Sequence, residues 1–122
     1  MNNKESAVSF LEMAASGKAN EAYSKFVGTG FRHHNPFFEG TATALEAGMQ
    51  ENANQNPNKV FEVKRAIAEG DLVVTHSHVR QKPEDLGAAV IHIFRFENGK
   101  IVELWDLGQP IPAQSINKNG MF

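Results

Sequence analysis

The stretch from Ala89 to Leu107 constrains the fold most. It contains two long apolar-rich runs, Ala89 to Phe96 and Ile101 to Leu107, joined by the polar tetrad Glu97-Asn98-Gly99-Lys100. Runs of Val, Ile and Phe on either side of Asn-Gly predict a β-hairpin, because Asn and Gly accept the left-handed backbone that a tight turn needs. A second hairpin precedes it. Val60 to Ala68 and Leu72 to Gln81 are extended runs that meet at Glu69-Gly70-Asp71. Lys82-Pro83-Glu84-Asp85 then turns the chain toward the last pair.

The first half has a different period. Ala7, Phe10, Leu11 and Ala14 recur at helical spacing, after Asn2 or Asn3 as a cap. Ala22, Tyr23 and Phe26 form the apolar side of a shorter helix, and Gly28-Thr29-Gly30 is expected to stop it. Phe31 to Pro36 is expected to be extended, since Asn35 precedes a proline. Thr41 or Thr43 caps a third helix reaching about Asn54. Helices followed by a meander of long strands predict an α+β domain. Its curved antiparallel sheet should carry the N-terminal helices on the concave face and enclose a cavity. At 122 residues the chain is expected to be one domain, residues 1–122.

Two registers are open to the last hairpin. A two-residue Asn98-Gly99 turn pairs Glu97 with Lys100 and sets His92 beside Trp105. A three-residue loop pairs Phe96 with Lys100. The second sorts the side chains better and is the expected one. It collects Val90, His92, Phe94, Phe96, Val102, Leu104 and Asp106 on one face. Ile91, Ile93, Arg95, Ile101, Glu103 and Trp105 take the other.

A carboxylate and an imidazole, Asp106 and His92, thus share an otherwise apolar wall, the pattern of a ligand pocket. Asp106 is the candidate general base, and His92 would orient it or donate to an enolate oxygen. The bland alternatives are an Asp that caps the turn at Gly108 and a His satisfied inside the core. His34 and Asn35 are placed at the cavity mouth, Phe94 and Leu104 on its lining, and Gln109 facing it, as substrate-binding candidates. The second face is nearly as apolar as the first. Ile91, Ile93, Ile101 and Trp105 therefore predict a homodimer formed through the outer sheet face.

Composition excludes several classes. The net charge is −2 with both signs scattered, so no basic stripe awaits nucleic acid. No apolar run reaches the length that spans a bilayer, and Met1 to Ser9 does not read as a signal peptide. The absence of cysteine excludes thiol chemistry and fits a cytoplasmic location. His76 and His78 share a strand face, but no third ligand accompanies them, so no metal is expected. No phosphate loop or other cofactor motif is found, and none is expected to be needed.

The runs VIHIFRFENGKIVELWDLGQPIP (Val90 to Pro112), HHNPFFEG (His33 to Gly40) and AEGDLVVTHSHV (Ala68 to Val79) resemble the SnoaL-like polyketide cyclases and their uncharacterised bacterial relatives. The resemblance covers nearly the whole chain. It implies a nuclear transport factor 2-like, or cystatin-like, cone-shaped α+β fold that is usually dimeric. In the cyclases a strand-end aspartate acts as general acid and base with help from a neighbouring histidine, positions matched here by Asp106 and His92. Many relatives carry Asp where this chain has His92, and His where it has Leu104. The implied activity is acid/base chemistry next to a carbonyl, an aldol cyclisation or an isomerisation of a small apolar ligand. The alternative is a non-catalytic small-molecule-binding dimer of the same fold.

Overall fold

The computed structural model describes residues 1–122 as three helices and five strands. Helix α1 spans Asn3–Ala15, α2 Ala19–Phe26 and α3 Ala42–Gln55. Strands follow as β1 Val27–His33, β2 Val60–Glu69, β3 Leu72–Arg80, β4 Ala88–Glu97 and β5 Lys100–Pro110. Asn2 caps α1 with a reciprocal bond to Glu5, and Thr41 caps α3. The apolar stripe of α1 is buried as its spacing predicts, at Ala7, Phe10, Leu11 and Ala14.

The strands form one open sheet in the order β1-β5-β4-β3-β2. It is mixed rather than wholly antiparallel, because β1 runs parallel to β5. Gly28-Thr29-Gly30 does more than stop a helix: it lies inside β1, which begins directly after α2. A Cβ on Gly28 would stand 2.9 Å from the Cβ of Lys100, so the bare backbone lets the edge strand approach β5. The three helices cover one face. Phe10 meets Tyr23 at 5.2 Å and crosses Phe94 edge-on at 6.1 Å, which fixes α1 and α2 over the middle of the sheet.

The last hairpin departs from the expected register. Glu97 pairs with Lys100 across a two-residue turn, in which Asn98 and Gly99 are both left-handed (φ 51° and 78°). By itself that turn would have set His92 beside Trp105. A β-bulge prevents it. Phe96 pairs with Ile101 and Arg95 with Glu103, which leaves Val102 as an extra residue on β5. The bulge lets consecutive apolar residues, Ile101 and Val102, both be buried. Beyond it Phe94 faces Leu104, Ile93 faces Trp105 and His92 faces Asp106 directly. Ile101 therefore leaves the outer-face set: it is 0% exposed and packs in the core with Phe96.

Candidate active site

The β4–β5 ladder places His92 and Asp106 side by side on the helix-covered face. They line a cavity of about 250 Å³ whose remaining wall is mainly apolar, from Leu11, Leu45, Met49, Phe61, Val79 and Val90. Asn35, Asn52 and Lys59 supply the other polar groups. The cavity thus lies between the sheet, α1 and α3, with Phe38 contributed by the segment after β1.

Asp106 is oriented by the segment His33 to Phe37. The Asn35 side chain closes a tight turn on itself, its Oδ1 accepting from the Phe37 N–H at 2.9 Å. That bond fixes the amide so that Nδ2 donates to Asp106 Oδ2 at 3.0 Å. His33 holds the turn from behind. Its Nε2 donates to the Glu39 carbonyl at 2.6 Å, and its Nδ1 accepts from the Asn35 N–H at 3.1 Å. One oxygen of Asp106 is thereby committed to Asn35, and the other has no protein donor.

His92 is buried, and Nδ1 has no hydrogen-bond partner in the protein. Burial pushes its pKa down to about 4, against the opposing pull of the Asp106 charge, with Lys59 adding to the depression. The ring is therefore neutral at physiological pH, a hydrogen-bonding group rather than a cation. Burial also lowers the pKa of Lys59, and raises that of Tyr23 with help from the charges of Glu46 and Asp106.

The sequence-derived candidates separate into three groups. Asp106, His92 and Asn35 meet at the cavity. Phe94 and Leu104 lie beneath it in the core, 0% and 1% exposed, and do not line it. His34 and Gln109 leave the cavity altogether. His34 turns to the outer face, where its Nε2 reaches Glu103 Oε2 at 2.6 Å and its ring stacks on Trp105 at 4.9 Å. Alternation along β4 and β5 sends Gln109 outward, beside Ile91, Leu107 and Met121. Lys59 and Asn52, which sequence reasoning missed, line the cavity instead. The tail crosses the outer face of its own chain, with Phe122 stacked on His78 at 4.6 Å and close to His76 at 5.3 Å. Those histidines also contact Arg65 and the Leu86 carbonyl, and no three His, Asp or Glu side chains gather as a metal site would need.

The outer face carries the main charge cluster. Glu103, buried on β5, accepts from His34, Arg32 and Arg95. The hydrogen bonds from His34 and Arg32, then Arg95, hold its carboxyl down to about 2. A depressed carboxyl stabilises the fold above its ordinary pKa of 4.5, and that contribution is lost as pH falls toward 2. Glu103→Gln is therefore expected to lower stability at neutral pH and to lose little more on acidification through that window. Urea melts of both proteins across the window would check this, and parallel pH profiles would contradict it.

A SnoaL-like domain model matches residues 7–104, which include all three helices but for the first turn of α1 and most of the sheet. The chain belongs to the SnoaL-like family. Solved structures agree on the fold. An NTF2-like protein of unknown function from Cytophaga hutchinsonii superposes with a TM-score of 0.72 at 15% identity, covering 90% of this chain and 92% of its own. A protein proposed to be an isomerase of the SnoaL-like family, from Agrobacterium tumefaciens, gives 0.71 at 13% identity, with coverages of 89% and 99%. AclR from Streptomyces galilaeus, proposed to be a hydroxylase, gives 0.72 at 19% identity, with coverages of 88% and 79%. No curated protein matches the sequence. The SnoaL-like fold carries several proposed activities, so the chemistry of this member has to be argued from its own cavity. No helix is long and apolar enough to cross a membrane.

Proposed function

We propose that this SnoaL-like protein catalyses proton transfer next to a carbonyl in a small, largely apolar ligand, without a cofactor. The observation that carries the reading is the Asp106 carboxylate on an apolar cavity wall, with one oxygen held by Asn35 and a neutral His92 directly across the ladder. The free oxygen of Asp106 takes the proton from the carbon beside the carbonyl. The C–H electron pair moves into the C–C bond and the carbonyl pair onto oxygen, giving an enolate. The His92 ring N–H facing the cavity donates to that oxygen and stabilises it, at no cost of removing a proton from a cation. The enolate carbon then attacks a second carbonyl of the same molecule, and the alkoxide so formed takes the proton back from Asp106. Alternatively, where a β,γ double bond extends the enolate to a dienolate, Asp106 returns the proton to the γ carbon. The first outcome is an aldol cyclisation and the second an isomerisation. The half-buried outer residues Ile91, Ile93 and Trp105 support a homodimer through that face, without Ile101.

The test is solvent deuterium exchange into a panel of cyclic ketones and β-keto esters. Wild type is expected to accelerate exchange beside the carbonyl, and Asp106→Asn to lower that rate about a hundredfold. The asparagine keeps the size and the contact to Asn35 but cannot hold a proton. Equal rates for the two proteins would reject Asp106 as the base and leave the cavity as a binding site only.

A further inference from the structure

Lys59 is the cation of the cavity. It sits at the entry to β2, two residues before Phe61, and both side chains line the cavity wall. Its Nζ donates to Asn52 Oδ1 at 2.6 Å. No carboxylate stands within ion-pairing distance of it, whereas Arg32, Lys64, Arg80 and Arg95 each have one. An ammonium drawn into apolar surroundings without a counter-ion is held at a cost unless an anion meets it. The neutral His92 cannot serve as that anion, and Asp106, one oxygen of which is held by Asn35, makes no ion pair with Lys59. A single neutral amide oxygen is a poor substitute, and the remaining ammonium hydrogens have no acceptor in the protein.

We infer that Lys59 receives an anionic oxygen of the ligand, so that the substrate class is a carbonyl compound that also bears a carboxylate. The inference rests on the reading of the cavity given above and narrows it. The carboxylate docks on Lys59, the apolar body packs on Phe61, Val79 and Met49, and the carbon beside the carbonyl is left toward Asp106. This polarity fixes the ligand's direction in the cavity. It also keeps the ligand's negative charge away from the Asp106 carboxylate, with which it would otherwise clash.

The test uses an indanone carboxylic acid, its methyl ester and its primary amide, titrated calorimetrically at neutral pH. Wild type is expected to bind the acid about tenfold more tightly than either neutral analogue. Lys59→Gln keeps a donor for Asn52 but has no charge, and should reduce that preference to about twofold or less. Lys59→Arg should retain most of it, and Asp106→Asn, which removes the one carboxylate lining the cavity, should not reduce it. A wild type that does not prefer the acid, or a Lys59→Gln protein that still does, overturns the inference. Deuterium exchange on the same compounds separates the two readings. Asp106-dependent exchange of the ester without preference for the acid would sink the role of Lys59 alone. Preference for the acid with no exchange would keep Lys59 as the anion site and remove Asp106 as the base.

Discussion

Phe94→Ala is expected to cost about 3–5 kcal/mol of folding free energy, and Leu104→Ala about 2–5 kcal/mol. Both side chains are essentially sealed from solvent, and they face each other across β4 and β5. Phe94 also touches the rings of Phe10 and Phe96, so truncation would open a void where α1 meets the sheet. The helix cannot sink to fill it, because Phe10 is held on its other side by Tyr23. The prediction discriminates between two roles. If these residues were ligand contacts on the cavity surface, truncation would weaken binding and leave stability within about 1 kcal/mol of wild type. As core residues they should shift the urea midpoint strongly. Their effect on affinity should come only through the His92 ring, which packs 6.0 Å from Phe94. A variant of either residue that unfolds at the wild-type midpoint would reject the core placement.

Alternation with a period of two was enough to bring His92 and Asp106 to one face of the last hairpin, since that needs only the parity of each strand. The turn and the bulge were not legible, because two compensating one-residue shifts leave the same parity beyond Val102. Only residues between the turn and the bulge betray the difference, and Ile101 is the one that changed sides. Parity could have rejected Gln109, which is three positions from Asp106 and so on the opposite face of an unbroken strand. The pair His33-His34 is harder. Two identical neighbours at the end of an edge strand must point opposite ways, and nothing local says which goes inward. The choice is made by tertiary partners, the Glu39 carbonyl for His33 and Glu103 with Trp105 for His34. Lys59 lies after a polar loop around Pro57, where hydropathy suggests solvent. Its place is not legible because the cavity wall is completed by α1 packing over β2 and by the fold-back of the α3–β2 connection that brings Lys59 to Asn52, neither of which the hydropathy pattern encodes.

Acidification is expected to weaken the fold in two stages, and the first belongs to His92. In the unfolded chain the imidazole takes a proton near its ordinary value of 6.5, whereas the folded protein refuses it until about 4. The unfolded state therefore binds more protons throughout that interval, and stability must fall as pH falls through it. The full contribution is present above 6.5, and the loss is complete near 4. The interval corresponds to roughly 3 kcal/mol, a large fraction of the stability of a domain this size. His92→Met removes the titrating group and fills the site with a flexible apolar chain, so its stability should be nearly flat over the same range. It should still weaken below 4.5, where Glu103 begins to lose its contacts. Urea melts at successive pH values would resolve the two stages, and the chemical shift of the His92 ring would report its titration directly. A ring that titrates near 6.5, or a His92→Met protein with the wild-type slope, would mean that the imidazole meets water or an anion in solution. The donor assigned to the enolate oxygen would then be partly cationic near neutral pH, and the proposed division of labour between a strictly neutral His92 and Asp106 would have to be given up.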